Sequence, residues 1–563
     1  MKNKGYSKWS QPLTPNELVA VTLALWWVLN VIAGIFLELA DDEAYYWFFS
    51  WHLDWGYFDH PPMVALLVKL GSWIGGEVGI RFFSLLLQPL YLYLFWTLVR
   101  QPETTHREAK LYCLVCFAMP MLQLYGLLAL PDAPLLFFTV LFLWAYKRFV
   151  ERDSWLNVVL LAASMALLMY SKYHGLLVIG FVLCSRWRNF ITPKLYLSGL
   201  LALFLYAPHL WWQYSHGFPS LRYHLVERHT VGFTTEYLGD TLLNLLVVFN
   251  PLFLFHYGRG LVRQIRERRH GEYSWLIIGF VVFFTLSAFR YSTQPQWMLP
   301  AVFAFIVLLM DEARRSERVY RYIRTVAVIS GGLFLVARLI LLIAPPPGQL
   351  LNNKETYKEI AEIADGRPVV FMHDYTGSAK YTFYTGQPAY TLPIYFMRKS
   401  QWQYSDLDDT FAGKDVLIVL TQEGKPDNSV WLSNGELFNY TELSNFRPLR
   451  KVEILPEYPL RRVGSDSVET VLHLYNPYPY PIFSTEEDPL SVVLTFRIEK
   501  RIQPCIAVRL SDTLAPGDSL TLPVTFPLPK NLEKGNEYSY AFLLRTLNYL
   551  PCDNSPRYNF KVE

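Results

Sequence analysis

Three acids stand in a row at Asp41-Asp42-Glu43, after the first long apolar run and before the aromatic string Tyr45-Tyr46-Trp47. Carboxylates at the mouth of a membrane helix are costly to keep there and read as functional by default. Further acids follow in Tyr57-Phe58-Asp59-His60-Pro61-Pro62 and in Pro131-Asp132-Ala133-Pro134. Arg81, Lys172 and Arg290 could meet an anion at the same depth, joined by His60 when it is protonated. Acids, cations and aromatic rings together are the equipment for moving a proton beside a departing anion, so the pattern points to an enzyme at a membrane surface.

The elements that must hold these residues follow from composition. Of 563 residues, 52% are hydrophobic, 16% aromatic and only 18% charged, whereas a soluble domain carries about a quarter charged. The excess stops near Pro345, and the rest reads as ordinary water-facing protein. A net charge of +3 is too small to suggest a nucleic-acid partner. Leu18–Leu37 is long enough to span and lacks a small-residue cleavage pattern, so no cleavable signal is expected. Eleven apolar segments are candidate spans: 17–38, 79–99, 110–130, 134–149, 155–171, 174–185, 196–212, 241–258, 273–290, 297–312 and 325–345. Counted this way, every basic cluster falls on one side, from Lys2, Lys4 and Lys8 to Arg314-Arg315 and Arg324. The positive-inside rule makes that side cytoplasmic and places the acid-bearing loops and the C-terminal part outside. In the first outer loop, Asp42–Leu53 and Pro62–Ile74 have the spacing of amphipathic helices lying at the interface.

The C-terminal part divides into a small α/β layer over 349–435 and short alternating strands over 436–563 that predict a β-sandwich. Cys113 and Cys116, inside an apolar run without His or acid beside them, read as buried small hydrophobes. Cys505 and Cys552 lie in the outer part, where a disulfide is plausible.

Asp42-Glu43, the Tyr57–Pro62 string, Pro131–Leu135 and Ser171-Lys172-Tyr173-His174-Gly175 together resemble the bacterial branch of the dolichyl-phosphate-mannose protein mannosyltransferase superfamily. That group, which includes aminoarabinose transferases acting on lipid A, consists of membrane glycosyltransferases of the GT-C fold. The resemblance covers about residues 15–345, more loosely the α/β piece, and not the sandwich. It implies transfer of a sugar from a polyprenyl-phosphate carrier to a lipid or protein acceptor on the outer face of the bacterial inner membrane, without a nucleotide.

On that reading Asp42 is the general base, flanked by Asp41 and Glu43. A carrier phosphate gains negative charge as its bond breaks. Lys172, Arg81, His60 and Arg290 are its candidate partners, with Tyr45, Tyr57, Tyr173 and Asp132 as further substrate contacts. Lys172 and Arg81 also read as snorkelling membrane-end cations, and Asp132 as a helix cap. His60 stands where the aminoarabinose branch carries Lys, and Arg290-Tyr291-Ser292-Thr293 departs from that branch's Lys-rich version, which argues against aminoarabinose as the sugar. Asp59 and His229 resemble the acid and His that hold a divalent ion in some relatives. Zn or Mn would suit them, though two ligands do not make a site and no cofactor is required. Trp211, Trp212 and Tyr214 read as interface anchors. A multi-span transporter and a non-catalytic lipid-binding protein are the other classes. The first should show interrupted helices with mid-bilayer charge, and the second leaves Asp42-Glu43 unexplained.

Overall fold

The computed structural model describes residues 12–562 apart from 228–232, 344–352, 395–397, 421–425, 461, 464–466, 487–488, 499–500, 530–531, 534 and 547–553. The chain forms two compact units, Met1–Asn352 and Asn353–Glu563.

The first unit is helical. Its helices are α1 (Pro15–Phe36), α2 (Asp41–Phe49), α3 (Met63–Gly71), α4 (Gly76–Val99), α5 (His106–Phe117), α6 (Pro120–Tyr125), α7 (Asp132–Glu151) and α8 (Trp155–Ser171). They continue with α9 (His174–Cys184), α10 (Pro193–Ser215), α11 (Pro219–Arg222), α12 (Leu238–Val248), α13 (Leu254–Glu267), α14 (Gly271–Ser287), α15 (Val302–Arg315) and α16 (Glu317–Ile343). Helix α1 starts where a capping box allows. The Glu17 amide donates to the Thr14 hydroxyl at 3.3 Å, the Thr14 amide donates back to the Glu17 carboxylate at 2.7 Å, and Pro15 fills the first helical position.

Among the described residues six helices are long and apolar enough to cross a membrane, or seven if α12 and the segment Pro251–Glu267 count as one bent span. Eleven full spans are therefore not reproduced by length. Three of the expected ones, α8, α9 and α14, fall among the shorter apolar helices. Two others are broken. Pro120 cannot continue the hydrogen-bond ladder, so the expected span 110–130 stops at Phe117 and restarts as α6. The expected span 241–258 turns through 84° where Asn250, at φ +62°, precedes Pro251. Both stretches of the first loop expected to be helical are so, as α2 and α3. Cys113 and Cys116 are buried in α5.

The second unit begins with α17 (Lys354–Ala364) and α18 (Tyr375–Thr385) beside a sheet of β1 (Val369–Met372), β2 (Ala389–Leu392), β3 (Val416–Val419), β4 (Asn428–Trp431) and β5 (Leu437–Leu443). The sheet order is β2-β1-β3-β5-β4, parallel among the first three and antiparallel thereafter. The predicted boundary at 435 therefore falls inside a hairpin. Ser433-Asn434-Gly435 lies in the β4–β5 turn, with Gly435 at φ +81°.

Beyond it lie β6 (Glu453–Pro456), β7 (Arg462–Val463), β8 (Ser467–Tyr475), β9 (Ser491–Ile498), β10 (Arg501–Arg509), β11 (Ser519–Pro527), β12 (Glu537–Arg545) and β13 (Tyr558–Val562). They form one sheet in the order β10-β9-β12-β13-β7 and another in the order β11-β8-β6. Phe526 of β11 meets Phe542 of β12 at 5.9 Å between the two sheets, as in a sandwich. The α/β layer and the sandwich are one unit rather than two, because buried Asp408 accepts from Arg450 at 2.9 Å and from the Tyr478 hydroxyl at 3.0 Å. Cys552 lies outside the described residues, and with it the expected disulfide.

Candidate active site

The acid triplet opens α2, where a helix N-terminus favours negative charge. Its three members face different surroundings. Glu43 is fully buried and holds Arg81 in a forked pair, Nε to Oε1 at 2.8 Å and Nη2 to Oε2 at 2.6 Å. The remaining N–H groups of Arg81 reach the backbone carbonyls of Gly34, Leu37 and Glu38. All five guanidinium N–H groups are thus engaged. Glu43 also accepts from the amides of Ala40 at 3.0 Å and Ala129 at 2.8 Å. This pair ties α1, α2 and α4 to the segment that leads into α7. It corrects two expectations: Arg81 is not placed to bind a carrier phosphate, and Glu43 is a structural carboxylate rather than a catalytic one.

Asp42 is exposed and Asp41 half-buried. Both Asp42 and Asp132 bear electrostatically on the Tyr125 hydroxyl at the end of α6, which puts the two carboxylates in one neighbourhood. Asp132 does not cap α7. Pro131 is the cap residue, and the buried Asp132 carboxylate accepts from Lys172 Nζ at 2.8 Å on each oxygen. Lys172 is equally buried and so spends two of its three N–H groups on that pair. The family-like strings around 132 and 172, forty residues apart in sequence, meet here.

The loop after α2 is anchored by its own aromatics. The single Tyr57 O–H lies 3.1 Å from the carbonyls of both Phe49 and His52, which share it, and the hydroxyl accepts from the Asp54 amide. Its ring stacks on Phe49 at 4.3 Å, and burial pushes the hydroxyl well above its usual pKa. Tyr45 is 1% exposed and packs edge-on against Phe49. Tyr45 and Tyr57 therefore shape the loop instead of lining a substrate path. Tyr173 is half-buried, its hydroxyl 3.2 Å from His209 Nε2 and accepting from Gln213 at 3.0 Å. His209 Nδ1 in turn lies 2.7 Å from the Trp55 carbonyl, and Gln213 reaches Ser220, which donates to the Tyr57 carbonyl. Trp212, expected as an anchor, is buried and donates to Asp54 at 2.7 Å, whereas Trp211 and Tyr214 are exposed as anchors should be. The sequence reading missed this His209–Gln213 network, although a histidine and a glutamine inside an apolar run are themselves the signal for it.

His60 packs edge-on to Tyr46 at 5.5 Å. Asp59 is buried and bears electrostatically on Tyr173, and its carbonyl lies 3.2 Å from His224 Nε2. His229, its expected metal partner, lies outside the described residues, among which no three His, Cys, Asp or Glu side chains gather as metal ligands. Arg290 is exposed just beyond the end of α14.

Residues 59–212 match the dolichyl-phosphate-mannose-protein mannosyltransferase family. The fold is shared with ArnT of Cupriavidus metallidurans in the apo state, at a TM-score of 0.56 and 15% identity, over 72% of this chain and 92% of that one. A second ArnT structure, bound to undecaprenyl phosphate, matches this chain at a TM-score of 0.55 and 15% identity, over 71% of it and 92% of ArnT. Among curated proteins it is 25% identical over 309 residues, 52% of its length, to the lipid A galacturonosyltransferase RgtD of Rhizobium johnstonii. It is 27% identical over 275 residues, 45% of its length, to an uncharacterized protein of Aquifex aeolicus. The matches span 64% and 52% of those relatives' own lengths, less than two thirds of each.

Proposed function

We propose that this chain is a glycosyltransferase of the bacterial inner membrane that moves a sugar from a polyprenyl phosphate to a lipid A-like or protein acceptor on the extracytoplasmic face. The observation that carries the reading is the division of labour in the acid triplet: Glu43 is locked on Arg81, while Asp42 is exposed and bears, with Asp132 of the Asp132–Lys172 pair, on the same Tyr125 hydroxyl. In the reaction the acceptor oxygen bonds to the anomeric carbon as the bond from that carbon to the phosphate oxygen breaks. Asp42 takes the proton from a hydroxyl acceptor, and the polyprenyl phosphate leaves with the bonding electrons. An acceptor that is already a phosphate or carboxylate has no proton to give, and Asp42 then orients it. No step uses a metal.

The leaving phosphate gains charge and needs cations placed for it. Lys172 presents its one remaining N–H, and exposed Arg290, which pairs with no carboxylate among the described residues, supplies a second charge. The ArnT structure with undecaprenyl phosphate and the name of RgtD support a polyprenyl carrier and a lipid acceptor.

The test is transfer by purified protein from a labelled polyprenyl-phosphate sugar, with wild type beside Asp42→Asn. Wild type should transfer and the variant should bind carrier without transferring. Equal turnover by the variant removes Asp42 as the base. Transfer from a nucleotide sugar without carrier overturns the donor class.

A further inference from the structure

At the other end of the helices lies a second concavity. Helix α7 carries Asp132 at its start, and its last turns, about 28 Å away at 1.5 Å per residue, line a cavity of about 570 Å³. The ends of α4, α9 and α15 and the start of α14 complete the walls. Six Lys and Arg side chains line it against three carboxylates. Arg314 is paired with Glu108 and Asp311, and Arg269 lies 3.9 Å from Glu267. Arg100, Lys147, Arg186 and Arg268 pair with no carboxylate among the described residues, and all four are exposed, Arg100 reaching the Asn16 side chain at 3.2 Å. The inner wall is apolar, with Leu98, Leu143 and Met310 from the membrane-crossing helices α4, α7 and α15.

Positive charge at this end of the helices is expected of any membrane protein. A pocket with four cations that no carboxylate compensates and hydrocarbon-like walls behind them is not required by that rule. Basic pockets between membrane helices, at headgroup depth, suit an anionic headgroup. We propose that this cavity binds the phosphate of an anionic membrane lipid, with Lys147, Arg186 and Arg268 at the phosphate and the apolar wall along the first part of an acyl chain. The apolar wall is what favours a lipid over soluble phosphate.

The full chain in detergent is probed by native mass spectrometry with dioleoylphosphatidylglycerol, dioleoylphosphatidylcholine as the neutral comparison, and inorganic phosphate as competitor. Wild type should retain the anionic lipid in preference to the zwitterionic one. A charge near such a surface is worth about fivefold in affinity, so Lys147→Gln should weaken retention about fivefold and Arg186→Gln with Arg268→Gln about 25-fold. Arg318→Gln with Arg324→Gln, which removes two exposed cations of α16 outside the cavity, should leave retention unchanged. Thermal unfolding run alongside confirms that each variant is folded. Equal loss in the α16 variant would reduce the effect to general surface charge. No preference for the anionic lipid, or its displacement by millimolar phosphate, would overturn the assignment.

Discussion

Lys172 Nζ sits 2.8 Å from both carboxylate oxygens of Asp132, each partner almost fully buried. The pair is neutral overall, so it meets the carrier as a dipole with one remaining N–H rather than as a bare cation. Removing one partner strands the other charge in a dry place, at a cost of about 3–5 kcal/mol, while removing both is far less damaging. Lys172→Met and Asp132→Leu should each lower thermal stability sharply, and the double variant should be more stable than either. Additive losses would show that the two residues are not coupled.

Glu43 and Asp42, neighbours in sequence, should fail in opposite ways. Glu43→Gln leaves Arg81 buried without its counter-charge and should cost about 3–5 kcal/mol of stability, read as loss of folded protein in detergent. Asp42→Asn touches an exposed group and should leave the unfolding temperature within the range of ordinary surface changes, about 0.5 kcal/mol, while turnover falls. A stable Glu43→Gln protein with no turnover would return Glu43 to the catalytic residues.

A Cβ added at Gly56 would stand 2.4 Å from Trp212 Cε3 and 3.0 Å from His209 Nδ1. Gly56→Ala should therefore displace the indole and loosen its bond to Asp54, costing about 1–3 kcal/mol as overpacking does. The change in Trp212 surroundings is readable in the difference fluorescence between wild type and Trp212→Phe. An unchanged difference spectrum would mean that the loop yields instead.

In the second unit, burial lowers the pKa of His373, helped by Arg398 and opposed by Asp374. A lowered folded-state pKa means that the unfolded chain binds the extra proton first. The contribution is present in full above about pH 6.5 and is lost as pH falls through the folded-state value. Protection factors of the β1 amides, Val369–Met372, corrected for the intrinsic exchange rate at each pH, should fall on acidification below that pH. His373→Asn, which suits the local φ of +52°, should flatten the dependence.

The membrane unit, its interfacial helices and the strings that carry Asp42, Asp132 and Lys172 were legible because each is a local pattern of hydrophobicity or motif. What was not legible is partnership. Nothing in the string Asp41-Asp42-Glu43 says which acid turns inward, because that depends on Arg81, 38 residues away. Tyr45 and Tyr57 read as substrate contacts because an aromatic at interface depth has the same composition whether it faces a ligand or Phe49. The broken spans were visible in principle, since Pro120 and Pro251 stand in the text. Hydropathy averages pass over a single missing N–H. The boundary drawn at 435 fell in the β4–β5 turn because turn residues also mark a change of segment.

The fork between Glu43 and Arg81 also bears on how such chains are told apart. An acid that holds the scaffold and an acid proposed to do chemistry sit one position apart, so they answer to different selection. A descendant that keeps 43 and 81 but replaces 42 would still fold and insert, and could persist as a carrier-binding pseudoenzyme. One that keeps 42 but loses 43 or 81 would be cleared by quality control before its chemistry mattered. In sorting working members from silent ones, position 42 is the informative one, while 43 and 81 report only that a folded protein exists.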